Sequence, residues 1–162
     1  MRQPIEVSAT VVAPPAAVYA AVADVTRMGE WSPENAGATW LGDATEAKPG
    51  ARFKGHNKND WHRWSTTCTI VTADPGREIS WMVRSTFNLA VSLWKYRFAD
   101  DGNGGTTVTE SVEDRRGVLI RTFAPLVTGV GDRPARNRET MTATLAQLKR
   151  VLETTAADAP AR

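Results

Sequence analysis

Apolar and polar residues alternate near the start of the chain, where Ile5, Val7, Ala9 and Val11 are separated by Glu6, Ser8 and Thr10. A period of two predicts a strand with one buried face. Pro14-Pro15 ends it, and proline suits a first helical turn, where its missing N–H is not needed. The alanine-rich run Ala16–Val25 puts Val18, Ala21, Val22 and Val25 on one stripe, which predicts a short helix. A second short helical piece is expected over Thr26–Trp31, with Thr26 as its cap and Ser32-Pro33 as its stop.

Six further strands follow. They are expected over Ala38–Leu41, Arg52–Asn57, Arg63–Thr72, Glu78–Arg84, Leu93–Ala99 and Thr107–Glu113. Pro49-Gly50, Lys58-Asn59-Asp60, Asp74-Pro75-Gly76 and the run Asp100–Gly105 mark the turns between them. Ile79, Trp81 and Val83 share a face, as do Trp94, Tyr96 and Phe98, and as do Val108, Glu110 and Val112. The apolar segment Val118–Val130 reads as a helix interrupted by Pro125 and Gly129. Asp132 with Pro134 marks a new helix start. Beyond it Met141, Leu145, Leu148 and Leu152 fall at steps of four, three and four, one face of a long helix. A single domain over residues 1–155 is expected, with Ala156–Arg162 as a frayed tail.

Consecutive strands on short turns form an antiparallel meander. One amphipathic helix must bury its stripe against that sheet. The expected architecture is therefore α+β, a strongly curved sheet of about seven strands wrapped over a C-terminal helix, with two short helices after the first strand.

Composition narrows the function. With 162 residues the chain is one domain, since domains run to roughly 100–200 residues. Net charge is +2, too balanced for a surface given over to nucleic acid, so nucleic acid is not an expected partner. Cys68 is the single cysteine, which excludes an internal disulfide and suits a reducing compartment. With no signal-peptide pattern and no long apolar run, a cytoplasmic protein is expected. Charge is uneven, however. Arg115–Arg150 holds eight basic against two acidic residues, +6, leaving −4 for the remainder. That segment is either a solvated face or a contact for an anionic surface.

Several stretches carry a family resemblance: Met28-Gly29-Glu30-Trp31-Ser32-Pro33-Glu34, Phe53-Lys54-Gly55-His56-Asn57, Trp64-Ser65-Thr66-Thr67-Cys68, Asp74-Pro75-Gly76-Arg77 and Gly105–Ser111. With the element order, the chain from about Ile5 to Glu153 resembles the START-like (SRPBCC) superfamily of helix-grip folds. Within it the chain resembles the bacterial polyketide cyclase/dehydrase and lipid-transport group. That resemblance implies a cavity between sheet and long helix that takes small hydrophobic molecules. It does not imply a reaction, because the fold hosts carriers, cyclases and regulators alike.

Candidate residues follow from that cavity. Six tryptophans are many for 162 residues. Trp81 and Trp94 share strand faces with apolar residues, and Trp31 ends the second short helix, near the implied mouth. They read as an aromatic lining or as core packing. Glu110 is the most informative position, a carboxylate on an apolar face, costly unless paired or protonated. The Asp100–Gly105 turn sets Phe98 against Val108 and hence Tyr96 against Glu110. Asn57 is a second expected donor to Glu110, and Arg133 or Arg136 an expected source of positive charge. Phe123 and Met141 complete the candidate ligand contacts, on the apolar segment and the long helix. The catalytic candidates are Glu110 and Tyr96, as acid and base.

Other chemistries are weaker. His56 and His62 flank Asp60, but the strand phases put the two imidazoles on opposite faces, so no metal site is expected. Cys68 lacks a partner base and reads as an inert buried thiol. No cofactor motif is present and no cofactor is expected. The segment Val118–Val130, flanked by Arg116, Arg121 and Arg133, reads as a cover for the sheet's open end, as a gate, or as a transient contact with an anionic membrane. The leading expectation is a carrier or sequestering protein for a small hydrophobic, lipid- or polyketide-like ligand. The alternatives are a polyketide cyclase/dehydratase-like enzyme, and a regulator or toxin-like protein acting on membrane or nucleic acid through the basic segment. The oligomeric state is not fixed by the sequence.

Overall fold

Turns of a few residues leave consecutive strands no partner but each other, and the sheet is built that way. The computed structural model describes residues 3–157. The strands are β1 (Ile5–Val11), β2 (Asn35–Leu41), β3 (Arg52–Asn59), β4 (His62–Asp74), β5 (Glu78–Arg84), β6 (Ala90–Asp100) and β7 (Thr106–Asp114). They form one sheet in the order β1-β7-β6-β5-β4-β3-β2, every pair antiparallel. The strands from β2 to β7 make the expected meander, and β1 pairs back on β7. Register shifts at Asn35/Gly37, Ile70/Thr72 and Val83/Arg84 add local twist, which bends the sheet into a grip.

Helix α1 (Pro15–Ala23) starts on a proline and buries Val18, Tyr19, Ala21 and Val22. Tyr19 meets Phe98 edge to face at 5.8 Å. A 3-10 segment follows over Val25–Glu30. Its cap is Asp24 rather than the expected Thr26, because the Asp24 carboxylate accepts both the Thr26 N–H and the Thr26 hydroxyl. Several strands run past their expected ends, since paired backbone continues the ladder into the polar turn residues. The β3–β4 turn is thereby reduced to Asp60-Trp61.

Helix α2 (Val118–Thr128) runs through Pro125 instead of breaking there. Gly129 ends it in the left-handed region, φ +69°, with its N–H donating to the Pro125 carbonyl. Helix α3 (Arg133–Ala157) begins where expected, with the Asp132 carboxylate accepting the Ala135 N–H. It reaches Ala157, two residues into the expected tail, and residues 158–162 lie outside the described part. Met141, Leu145 and Leu148 are fully buried against the sheet and Leu152 partly so. Lys149 closes the α3 contact with β1 by donating to the Thr10 carbonyl, while Glu153 accepts the Val12 N–H.

Candidate ligand-binding site

Between the inner face of the sheet and α3 lies a cavity of about 260 Å³. That is the volume of roughly nine waters at ~30 Å³ each and sits just below the ~300 Å³ at which small-molecule sites begin. Strand alternation builds its floor. Phe53 from β3, Trp81 from β5 and Tyr96 from β6 all point inward. Phe53 meets Trp81 edge to face at 6.0 Å, and Trp81 stacks on Tyr96 at 5.6 Å with 24° between the rings. Met141 and Thr144 of α3 form the roof. Trp31 is buried and lines the cavity, with the Arg27 guanidinium 5.3 Å from its ring. Trp94 is half-buried, lines the cavity and spends its indole N–H on the Ser92 hydroxyl.

Glu110 faces this apolar wall. The turn sets Phe98 against Val108 and Tyr96 against Glu110, the register read from the sequence. Only 2% of Glu110 is exposed. Oε1 accepts the Tyr96 hydroxyl at 2.5 Å, and Oε2 has no hydrogen-bond partner among the described residues. Burial pushes the carboxyl up to about 8, against the opposing pull of the Tyr96 hydrogen bond. Burial and the adjacent Glu110 push the Tyr96 hydroxyl well above its usual range. At neutral pH Glu110 is therefore mostly the neutral acid. Since Oε1 is occupied as an acceptor, the acidic proton belongs on Oε2, which has no protein acceptor. Oε2 is itself buried in the cavity wall, a hydrogen-bond donor with no acceptor among the described residues.

The other expected partners of Glu110 are elsewhere. Asn57 donates to the Thr66 hydroxyl at 3.2 Å and to the Gly55 carbonyl at 3.5 Å, and accepts from Asn35 at 3.5 Å. It lines the cavity as part of a separate polar wall. A Cβ at Gly55 would stand 3.2 Å from the Thr66 hydroxyl and would crowd this wall. Arg133 makes a two-point contact with Glu34, at 2.7 and 2.9 Å. Arg136 reaches Glu139 and Asn59. Neither arginine touches Glu110, because the start of α3 stands over the strand ends while Glu110 lies mid-strand. The Glu34–Arg133 pair and the Asp114–Arg116 pair, at 2.9 Å, lie at the mouth. Burial alone would raise Asp114, but its bonds to Arg116 outweigh that and hold its carboxyl low.

Phe123 is 55% exposed and does not line the cavity. Its helix faces it away from the sheet, an outcome the spacing of apolar residues could not decide. Cys68 does line the cavity, and burial pushes its thiol up to about 12, the inert state expected of it. His56 is exposed and contacts Thr39. His62 packs beneath Gly129, where a Cβ would lie 2.6–2.7 Å from the imidazole. Among the described residues no cluster of His, Cys, Asp and Glu has the makings of a metal site. Asn35, Thr66, Glu34 and Asp114 were not among the candidate site residues read from the sequence. Each is an ordinary polar residue in a strand or turn, and only the fold brings it to the cavity.

A family model described as "Polyketide cyclase / dehydrase and lipid transport" matches residues 2–153. A comparison with curated proteins gives no match. Among solved structures, protein CV1439 from Chromobacterium violaceum superposes with a TM-score of 0.71 at 18% identity, over 94% of this chain and 99% of that one. The Polyketide_cyc-like protein Cgl2372 from Corynebacterium glutamicum is 29% identical, with a TM-score of 0.57 and 96% of each chain covered. DynU16, a protein of the dynemicin biosynthetic locus, is 16% identical with a TM-score of 0.64, over 96% of this chain and 49% of that one.

Proposed function

Because the chain belongs to the polyketide cyclase/dehydrase and lipid transport family, we propose that it binds a small, largely apolar molecule between its sheet and α3. The ligand carries a hydrogen-bond acceptor, such as a ketone or ester carbonyl, and that acceptor meets the Glu110 carboxyl. The unpartnered Glu110 Oε2 in an aromatic-lined cavity carries this reading. A buried polar group left unpaired costs on the order of 1–3 kcal/mol, and a ligand acceptor removes that cost. The stacked Trp81–Tyr96 wall favours a flat molecule, roughly bicyclic for the volume available. The protein then acts as a carrier or sequestering protein.

A second reading is enzymatic, a cyclase- or dehydratase-like proton transfer in which Glu110 and Tyr96 act as acid and base. It draws support from the carboxyl poised at about 8, close to the working pH that general acid catalysis favours. Native mass spectrometry of gently purified protein, with extraction of whatever is bound, tests the first reading. A stoichiometric apolar adduct bearing a carbonyl is expected. A fully polar or anionic adduct overturns it. Incubation of that molecule with the protein separates the readings: recovery unchanged supports a carrier, whereas conversion that Glu110→Gln abolishes supports the enzyme.

A further inference from the structure

Helix α2 carries most of its large apolar side chains on the side away from the core. Leu119, Phe123 and Leu126 fall at i, i+4 and i+7, one face of the helix. They are 62%, 55% and 76% exposed. The side turned to the protein carries Ile120, Ala124 and Thr128. Thr128 is buried, and its carbonyl accepts the Asn59 amide at 2.9 Å. Arg121 also turns back, to Asp114 at 3.8 Å. The helix is thus held by its ends and by its Ile120–Ala124–Thr128 side, while the face bearing Leu119, Phe123 and Leu126 has no partner among the described residues.

Strand directions show what lies beside it. The β3–β4 turn, the β5–β6 turn, the end of β7 and the cavity mouth all fall at one end of the sheet. Helix α2 leaves from the end of β7 and finishes at the β3–β4 turn, where His62 meets Gly129. The two hairpin tips present Trp61 and Phe87, 82% and 85% exposed. All the exposed large apolar side chains of the described residues except Val12 and Val71 lie at this end. Charge is sorted in the same direction. Lys58, Arg63, Arg84, Arg115, Arg116, Arg121, Arg133 and Arg136 outnumber Glu34, Asp60, Glu113, Asp114, Asp132 and Glu139 here, whereas at the far end Asp43, Glu46, Asp74, Glu78, Asp100 and Asp101 outnumber Lys48, Arg52 and Arg77.

From this we propose that the mouth end is a docking surface for an anionic phospholipid bilayer. Leu119, Phe123, Leu126, Trp61 and Phe87 insert at the level of the headgroups. Lys58, Arg63 and Arg84, exposed and without an ion pair among the described residues, meet lipid phosphates, the arrangement of an interfacial helix. The cavity mouth then faces the bilayer, so an apolar cargo passes between membrane and cavity without crossing water. The surface stands on its own geometry, whatever occupies the cavity.

Co-sedimentation of the full-length protein with vesicles tests it, using equal parts phosphatidylglycerol and phosphatidylcholine against phosphatidylcholine alone. Binding to the anionic vesicles is expected, weakening as salt rises. The double substitution Leu119→Ser with Phe123→Ser should reduce it about tenfold or more. These side chains are exposed, so circular dichroism should be unchanged. If that variant fails to fold, Trp61→Ser with Phe87→Ser provides the same reading from the hairpin tips. No binding to anionic vesicles overturns the proposal, as does binding that neither pair weakens. A dimer in solution that buries α2 and is broken by the same substitutions, without vesicle binding, also overturns it in favour of a second copy of the chain. Loss of vesicle binding by the variants with cavity occupancy intact separates this surface from the cavity reading.

Discussion

Replacing Glu110 with glutamine should change how stability depends on pH more than it changes the fold. In the folded protein the carboxyl titrates at about 8, against an ordinary 4.5. The folded state therefore keeps a proton that the unfolded state has lost throughout that window, and stability falls as pH rises through it. At about 1.4 kcal/mol per pH unit, the penalty reaches roughly 3 kcal/mol at pH 7 and about 5 kcal/mol above pH 8. Glutamine removes the ionisation and can still accept from Tyr96. Urea titrations of both proteins at pH 5, 6, 7, 8 and 9, followed by tryptophan fluorescence, measure the difference. Every other titrating group cancels in that comparison. The stability gap should move in favour of Glu110→Gln by about 1.4 kcal/mol per unit until pH 8 and then flatten. At ~2–4 °C per kcal/mol for a chain of this size, its melting temperature at pH 7 gains about 5–11 °C over its value at pH 5, relative to wild type. A gap that stays constant from pH 5 to pH 8 would show that Glu110 ionises normally in the folded protein, and the reasoning from burial would be wrong.

Tyr96→Phe should cost about 1–2 kcal/mol by leaving Oε1 without its donor, and should push the Glu110 midpoint above about 8. The same urea series reads both effects, and an unmoved midpoint would contradict the hydrogen bond. Gly129→Ala places a Cβ against the His62 ring at a left-handed φ of +69°, a cost of about 1–3 kcal/mol. Its signature is faster amide exchange across α2 with the sheet unaffected; unchanged exchange would mean that α2 is not anchored there. Cys68, with its thiol pushed up to about 12, should react with a thiol-exchange reagent at pH 8 at least about a thousandfold more slowly in the folded protein than in urea. Rapid modification of the folded protein would mean that the cavity wall is open to water.

Much of this arrangement was legible because it depends on local rules. Alternation fixed the strands. The Asp100–Gly105 turn fixed the register that sets Tyr96 against Glu110, and that pairing is the centre of the site. Steps of four, three and four put Met141, Leu145 and Leu148 into the core. What could not be read was anything that depends on how distant elements face each other. Arg133 was expected beside Glu110, and its choice of Glu34 instead is set by where α3 starts relative to β2. Asn57 shares the inner face with Glu110 but sits strands away, so its amide serves Thr66 instead. Phe123 lies on a helix with the correct apolar spacing. Periodicity identifies a stripe without saying which side of the helix meets protein, and here it is the opposite side. Pro125 was read as a break, yet the loss of one N–H on a largely exposed helix is a defect that solvent can satisfy.

The most direct test is the pH dependence of binding of a neutral aromatic ketone, 2-acetylnaphthalene, followed by quenching of tryptophan fluorescence in wild type and Glu110→Gln. In the proposed complex the protonated Glu110 is the donor, so wild-type affinity should be flat below pH 7 and decline above about 8, approaching a tenfold loss per unit. The glutamine variant should bind with no such decline. Absence of binding at any pH, or a wild-type profile indistinguishable from that of Glu110→Gln, would contradict the assignment of this cavity to an apolar ligand held through Glu110.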